Sequence, residues 1–165
     1  MTTRLAIYPG TFDPPTLGHV DLICRASRIF ERLVVAVARG VHKSVLLDRD
    51  QRVELLRKCV EDLPNVQVEP FDGLLVQFAA RRGARVLVRG IRAFSDFEFE
   101  FQTALTNRKM APQIETIFLM PKEEYSYVSS SIVREIAALG GETRAFVPEP
   151  VHRVLQHLSG TGDRA

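Results

Sequence analysis

Five short runs of aliphatic and β-branched residues alternate along the chain with longer stretches in which apolar residues recur every three or four positions. Short continuous apolar runs are typical of strands that a parallel sheet buries on both faces, whereas the wider spacing is typical of helices with one apolar face. The pattern therefore predicts five strands, each buried on both faces, at residues 4–8, 33–38, 66–69, 85–89 and 114–119.

The helical stretches carry start and stop signals. Asp48 stands three residues before Gln51, the spacing of a capping box, and Gly83 follows the third stretch as a left-handed terminator. Residues 97–101 alternate between Phe and Glu, which favours a strand, but Phe97, Phe101 and Leu105 keep helical spacing, so we predict a helix. The predicted helices span residues 18–30, 49–63, 74–82, 91–111, 131–139 and 149–158.

Alternating strands and helices predict an α/β fold, a Rossmann-like doubly wound five-stranded parallel sheet with helices on both faces. The 165 residues suit a single domain spanning 1–165, and residues 159–165 are expected to form a flexible tail. In this architecture ligands bind beyond the carboxyl ends of the strands, where the strand order reverses. The loops that follow the five strands are therefore where function is expected.

Composition narrows the class of function. Lys and Arg total 22 against 20 Asp and Glu, a net charge of +2, so coating of a nucleic acid is not expected. No apolar run approaches the roughly 20 residues of a spanning helix, and no signal peptide follows Met1, so we expect no membrane partner and a cytoplasmic location. Cys24 and Cys59 lack metal-site spacing and are expected to be buried free thiols, with a disulfide or a metal site as the alternative.

The loop after the first strand leads directly into a helix and contains Gly10, Gly18 and His19. Helix N-terminal amides attract phosphate oxygens, glycines allow close approach, and an imidazole in the first turn would point at the same place. A helix cap or a surface position is the alternative for His19. After the second strand, Lys43 could meet a phosphate or simply be solvated.

Two later loops carry further candidates. Arg89 and Arg92 flank a glycine at the end of the fourth strand, which is either an anion site or a structural pair. Glu100, on the next helix, could accept from a ribose or a base, or be solvated. Three serines at residues 129–131, followed by Arg134, could cap a helix or cradle a triphosphate. Together with Lys43, these arginines would concentrate positive charge at one edge of the sheet.

Two motifs and their placement carry a resemblance. Residues 16–19 read Thr-Leu-Gly-His, and residues 129–134 read Ser-Ser-Ser-Ile-Val-Arg, which together resemble the two hallmarks of the nucleotidylyltransferase superfamily. Residues 8–14, 88–92, 96–98 and 118–121 extend the resemblance to the bacterial phosphopantetheine adenylyltransferase family, over about residues 4–158. The chain departs from the wider superfamily at Thr16, where His is common, and at Tyr125, where some relatives carry Trp.

The resemblance implies an enzyme that transfers AMP from ATP to 4'-phosphopantetheine, giving dephospho-coenzyme A and pyrophosphate in coenzyme A synthesis. It also implies Mg2+ dependence, a homohexamer and inhibition by coenzyme A. The implied catalytic residues are His19, as transition-state stabiliser, Lys43 and Thr11. The implied acceptor contacts are Thr11, Lys43, Leu75 and Arg89. The implied ATP contacts are Thr11, Phe12, His19, Gly90, Ile91, Arg92, Glu100, Tyr125, Ser126, Tyr127, Val128, Ser129, Ser130 and Ser131.

The chemistry expected is a direct in-line attack without a covalent intermediate, since the attacking phosphate is already anionic. No Asp/Glu cluster in the sequence offers a protein-only metal cage, so Mg2+ is expected to bridge phosphate oxygens and waters. Two alternatives stay open: transfer of an adenylyl or cytidylyl group to another phosphate acceptor, such as nicotinamide mononucleotide, and a non-catalytic nucleotide-binding module.

Overall fold

A computed structural model describes residues 5–40 and 44–160 of the chain. It contains five strands, β1 Leu5–Gly10, β2 Arg32–Ala38, β3 Val66–Phe71, β4 Val86–Gly90 and β5 Glu115–Leu119. The helices are α1 Leu17–Ile29, α2 Arg49–Cys59, α3 Leu75–Arg81, α4 Phe94–Met110, α5 Ser130–Ala138 and α6 Glu149–Gly160, with a short 3-10 turn at Glu123–Tyr125. All predicted strands and helices are present.

The strands form one parallel sheet in the order β3-β2-β1-β4-β5. From β1 the chain adds β2 and β3 on one side, and it then crosses back to add β4 and β5 on the other side. The strand order therefore reverses between β1 and β4, as it does in a doubly wound sheet. Alternate residues of β1 point to opposite faces: Ala6 and Tyr8 pack with α1 and α2, while Leu5 and Ile7 pack with α3. Helices thus cover both faces, as predicted.

A third apolar cluster joins α2, α5 and α6, through Leu55, Val133 and Leu155 among others. This layer matters for the site because it fixes the N-terminus of α5 beside the loop after β1. No helix within the described residues is both long and apolar enough to cross a bilayer. The cysteines are free, as predicted, but both are half-buried instead of buried, because each lies on a helix at the margin of the core.

The prediction that every strand is buried on both faces is wrong for β3 and β5. Residues along both strands are mostly half-exposed or exposed, and only Val68 is buried among them. Each is an edge strand with a single neighbour, β2 or β4, and helices cover an edge less completely. Continuous hydrophobicity does not distinguish an edge from a centre, so the sequence pattern missed this difference.

Several element boundaries also differ from the prediction. Helix α2 ends at Cys59 instead of residue 63, where Val60 closes the last turn by donating to the carbonyls of Leu56 and Arg57. Helix α4 begins at Phe94 instead of residue 91, because Ile91 still donates to the Leu119 carbonyl beside β4. Ser159 and Gly160, expected in the tail, belong to α6, and residues 161–165 lie outside the described residues.

Candidate active site

A cleft of about 330 Å³ opens between the carboxyl ends of β1 and β4. It lies where the strand order reverses, the place expected for a ligand in this architecture. Its walls come from the loop after β1, the first turn of α1, the start of α4 and the N-terminus of α5. The lining residues whose polar or charged side chains make them candidates for a functional role are Thr11, Asp13, His19, Arg89, Arg92, Glu100, Ser129, Ser130, Ser131 and Arg134.

The orientation of His19 is set by the cap of α1. Thr16 is the N-cap residue, and its hydroxyl accepts from the His19 amide at 3.3 Å. In return the Thr16 amide donates to Nδ1 of His19 at 3.0 Å. A backbone N–H can only donate, so Nδ1 is an acceptor, and the neutral ring carries its proton on Nε2. His19 is therefore both the cap that the sequence allowed and a donor that lines the cleft.

The charge state of His19 follows from its surroundings. Burial, together with the positive charges of Arg92 and Arg89, lowers the pKa of the imidazole to about 4, and burial is the largest of these causes. A group with this pKa is neutral at neutral pH. The geometry thus presents a neutral N–H donor, not an imidazolium, to anything bound in the cleft.

The ring of Phe12 packs between Tyr8 and His19. Its centroid lies 5.5 Å from the Tyr8 ring and 5.0 Å from the His19 ring, both edge-on. Phe12 holds this place with a φ of 52°, in the left-handed region that side chains other than glycine rarely adopt. A strained, buried residue at a cleft indicates that the surrounding structure requires this turn.

Arg89 is paired with Glu100 in a two-pronged contact, with Nε and Nη2 donating to the carboxylate at 2.6 and 2.7 Å. Arg89 also donates to the Pro9 carbonyl at 3.1 Å, which ties β4 to the loop after β1. Glu100 was expected either to accept from a nucleotide or to be solvated. The structure instead uses both carboxylate oxygens to orient Arg89.

Arg92 is held in the same way by Asp96, through Nε at 2.9 Å and Nη2 at 3.1 Å, while Nη1 donates to the Val128 carbonyl at 3.0 Å. Together with Arg134, whose guanidinium lies 3.9 Å from Asp13, the three arginines of the cleft each face a carboxylate. The prediction of an excess of positive charge at this edge is therefore wrong among the described residues, because a carboxylate accompanies each of the three arginines. Lys43 lies outside them.

The three serines at the start of α5 each have a partner in the protein. Ser129 caps the helix by accepting from the Ile132 amide at 3.2 Å, and Ser130 donates to the Pro14 carbonyl at 2.8 Å. Ser131 accepts from Arg134 at 3.3 Å. Their hydroxyls therefore organise the helix start, and the helix N-terminus itself, with the amides that a first turn leaves unpaired, belongs to the lining of the cleft.

The predicted site residues divide into three groups. Those that line the cleft are Thr11, Phe12, His19, Arg89, Gly90, Arg92, Glu100, Val128, Ser129, Ser130 and Ser131. Those that do not line it are Leu75, Ile91, Tyr125, Ser126 and Tyr127. Leu75 packs on the α3 side of the sheet, and Tyr127 points outward, 66% exposed. Lys43 is the third case, beyond the described residues.

Sequence reasoning missed Asp13, Asp96 and Tyr8 in the cleft. Asp13 is 3% exposed, and its carboxylate accepts from the amides of Leu46 and Leu47 at 2.7 and 2.8 Å. These partners are more than 30 residues away along the chain, so no local sequence pattern predicts the contacts. The four-residue spacing of Arg92 and Asp96 was the one signal available for that pair, although Arg92 lies just before the N-terminus of α4.

Comparison with known proteins gives the chain a family. Residues 7–136 match the family model described as Cytidylyltransferase-like. The chain is 51% identical over 160 residues to a phosphopantetheine adenylyltransferase of Acidovorax sp. strain JS42, covering 97% of each chain. It is 54% identical over 158 residues to that of Methylococcus capsulatus, covering 95% of this chain and 98% of the relative. The chain belongs to the phosphopantetheine adenylyltransferase family.

The fold of this family member also resembles more distant solved structures. A structure from Vibrio parahaemolyticus, named for nicotinate-nucleotide adenylyltransferase, superposes with a TM-score of 0.72 at 20% identity, over 94% of this chain and 93% of that one. At this identity the likeness shows the shared nucleotidyltransferase fold alone. The resemblance seen in the sequence motifs is thus confirmed, and the chain is an enzyme of the nucleotidyltransferase class.

Proposed function

We propose that this enzyme transfers AMP from ATP to 4'-phosphopantetheine, producing dephospho-coenzyme A and pyrophosphate for coenzyme A synthesis. The observation that carries the proposal is the identity of about half the residues, over nearly the whole length, with relatives named for this reaction. A cleft with a neutral histidine donor and three oriented arginines supports it, because phosphoryl-group chemistry needs donors more than it needs a protein nucleophile.

The reaction we propose is an in-line displacement. A phosphate oxygen of phosphopantetheine forms a bond to the α-phosphorus of ATP, and the bond from that phosphorus to the oxygen bridging the β-phosphate breaks. The electron pair leaves with pyrophosphate. The attacking phosphate is anionic near neutral pH, so the enzyme has to position two anions and stabilise the charge that develops between them.

The residue that we assign to the reacting α-phosphate of ATP is His19, because its neutral ring offers an N–H donor to the cleft. We propose that Nε2–H donates to an α-phosphate oxygen, with a bond that strengthens as charge accumulates there. On the acceptor side, Thr11, Arg89, Lys43 and Leu75 are the residues we assign to phosphopantetheine, with Glu100 keeping the Arg89 guanidinium in place.

The nucleotide side is assigned to Arg92 and the start of α5. Arg92 reaches the Val128 carbonyl, so the two neighbouring segments that would contact ATP are linked before it binds. The amides of the first turn of α5 supply donors for phosphate oxygens. The remaining proposed nucleotide contacts are Gly90, Ile91 and residues 125–128. Of these, Ile91 and residues 125–127 do not line the cleft, so their contacts require that the bound nucleotide extends beyond it.

We propose that Mg2+ enters as part of the MgATP substrate. Asp13, Asp96 and Glu100 are the cleft carboxylates, and each already accepts from backbone amides or an arginine. The described residues contain no cluster of His, Cys, Asp and Glu that could hold a metal. Phosphate oxygens and water are thus the ligands that suit the ion here.

The remaining implications of the family resemblance are a homohexamer, inhibition by coenzyme A and a cytoplasmic location. The first has support in α4, where Phe97, Phe101 and Leu105 form an apolar stripe that is 45 to 46% exposed. An apolar helix face of this kind is typical of a subunit interface. Coenzyme A is the product, dephospho-coenzyme A, with one further phosphate, so we propose that it binds in the same cleft as that product.

The experiment that tests the function is pyrophosphate release from MgATP. Purified enzyme is assayed with no acceptor, with 4'-phosphopantetheine, and with nicotinamide mononucleotide, and His19→Ala serves as the control for contaminating activity. We expect release that depends on phosphopantetheine, with dephospho-coenzyme A identified by mass. Release with nicotinamide mononucleotide alone would favour another acceptor, and ATP binding without any turnover would favour a nucleotide-binding module.

A further inference from the structure

Arg52, on the first turn of α2, is 0% exposed and is surrounded by backbone carbonyls. Its Nη1 donates to the carbonyl of Thr11 at 2.6 Å and to that of Ala38 at 2.8 Å, and Nη2 donates to that of Arg39 at 3.3 Å. One guanidinium thus joins the loop after β1 to the loop after β2.

The same guanidinium is anchored at its own helix. Nε donates to the carbonyls of Leu47 and Asp48 at 3.0 and 3.2 Å, the residues at the N-terminus of α2. Three segments that are distant along the chain therefore meet at one side chain. A buried charge is tolerated only when it is hydrogen-bonded, and here all five hydrogen bonds of the guanidinium go to backbone carbonyl oxygens.

Asp13 closes the network from the opposite side. Both of its carboxylate oxygens accept amides from the loop after β2, those of Leu46 and Leu47. The loop after β1 is therefore held twice to the loop after β2, through a carbonyl at Thr11 and through a carboxylate at Asp13. Asp13 also faces Arg134 on α5 at 3.9 Å.

The two loops joined in this way form one wall of the cleft. Thr11 and Asp13 line it from the first loop, and Ser44 and Val45 line it from the second. Arg92 and the start of α5 are proposed to contact the nucleotide, and Thr11 is among the residues proposed to hold the acceptor phosphate.

We infer that Arg52 is a positioning residue for the acceptor, which fixes the spacing between the loops after β1 and β2 and so the place where the phosphate of phosphopantetheine is held. This inference rests on the proposed function for the identity of the acceptor. The planar, forked guanidinium reaches both loops at once, whereas the ammonium of lysine is a single point that cannot span them. Charge alone at this place is therefore not sufficient.

The test compares Arg52→Lys, Arg52→Met and the matched variant Arg57→Lys. Arg57 lies on the same helix, is exposed, and makes one backbone contact, to the Val68 carbonyl at 3.2 Å on the edge strand β3. For Arg52→Lys we expect kcat/KM for phosphopantetheine to fall by about tenfold to 100-fold, the scale of a small misplacement of reacting groups. We expect the Kd of α,β-methylene-ATP to stay at the wild-type value, and Arg57→Lys to match wild type throughout.

A second readout does not depend on the acceptor. Hydrogen exchange at the amides of Leu46 and Leu47, which donate to Asp13, should become faster in Arg52→Lys and stay slow in Arg57→Lys. If wild type itself shows no turnover with phosphopantetheine, the proposed function fails while this exchange measurement still decides whether Arg52 holds the loops.

Three outcomes would overturn the inference. Wild-type kinetics in Arg52→Lys would show that the fork is not needed, and unchanged exchange at Leu46 and Leu47 would show that the loops are held without it. An equal loss of α,β-methylene-ATP binding would indicate a general structural role. Should both Arg52 variants fail to fold, Arg52→Gln decides, because its amide keeps two N–H donors for the carbonyls but has no fork; wild-type kinetics together with unchanged exchange at Leu46 and Leu47 in that variant would refute the positioning role.

Discussion

His19 shows how a single backbone bond decides the chemistry of a side chain. The amide of Thr16 donates to Nδ1, so only Nε2 is left to carry the ring proton and to face a ligand. A threonine at the cap position serves this purpose because its hydroxyl also accepts the His19 amide. The capping box and the proposed catalytic donor are the same four-residue unit.

The first prediction concerns the charge and tautomer of His19. In the free enzyme we expect the Nε2–H form at neutral pH and a pKa of about 4, because burial and the nearby Arg92 and Arg89 disfavour the cation. Long-range proton–nitrogen NMR on histidine-labelled protein measures both, and the signal missing from His19→Gln assigns the residue. A ring that titrates near 6.5, or an Nδ1–H tautomer, would contradict the structure.

The same shift has a consequence for stability. The folded-state pKa of His19 lies below the ordinary value of 6.5, so the unfolded chain takes up a proton between these two values while the folded protein does not. The contribution of His19 is fully present above pH 6.5 and is lost as the pH falls toward 4. The free energy of unfolding should therefore decline less steeply over this range in His19→Gln than in wild type.

The second prediction concerns turnover. Removing one donor to a developing charge typically lowers kcat by about 100- to 1,000-fold, so His19→Ala should lose kcat on this scale while the Kd of ATP changes far less. His157→Ala, on α6 and outside the cleft, is the matched control. A His19→Ala enzyme with near-normal kcat would remove His19 from the reaction.

At the level of elements, β4 approaches α1 closely beside the cleft. A Cβ placed on Gly90 would lie 2.4 Å from Cδ1 of Leu22, which is 4% exposed in the core. Gly90 is therefore required by space, not by a special φ. The sequence marked this glycine as part of a loop motif, but only the packed helix explains why a side chain does not fit.

The third prediction follows from this contact. Gly90→Ala should lower the free energy of unfolding by about 1–3 kcal/mol, the usual effect of overpacking. When it is added to Leu22→Ala, the same substitution should cost only a small part of that amount, because the clashing atom is gone. Gly18→Ala is the control, because its added Cβ would have neighbours no closer than 3.6 Å. Denaturant unfolding measures all four variants, and additive effects of the Gly90 and Leu22 substitutions would contradict the proposed clash.

At the scale of the whole molecule, α4 is a helix whose apolar side chains stay exposed in a single chain. Among its described side chains only Asn107 is buried, although the helix carries Phe97, Phe101 and Leu105 in one stripe. Phe97 stacks on Phe101 with centroids 5.6 Å apart and also meets Phe118 of β5 at 6.5 Å. We therefore propose that this stripe is buried against another subunit.

The fourth prediction tests that surface. Phe101→Glu should reduce the mass in solution from the proposed six copies of the 18.6 kDa chain to a smaller species, because a charge would be buried in the interface. Leu139→Glu is the control: Leu139 is 82% exposed and lies beyond α5, away from this stripe. Light scattering after size exclusion reads the mass, and an unchanged mass in Phe101→Glu would place the interface elsewhere.

The sequence alone was sufficient for the order and type of the elements, the parallel sheet and the family. These properties rest on local spacing: apolar runs, the Asp48 to Gln51 capping box, and the motif of residues 16–19 are all readable within a few positions. The edges of the sheet were not readable, because β3 and β5 differ from central strands only in what lies beside them.

The tertiary structure alone decided how the charges of the site are used. Arg89 and Glu100 are 11 residues apart, Asp13 and Leu47 are 34 apart, and Arg52 and Thr11 are 41 apart, so their pairing depends on how the strands and helices pack. A sequence lists charges, but it does not say which of them neutralise each other. Burial makes those pairings obligatory, since a buried charge needs its partner, and folding thereby determines which donors remain for a ligand.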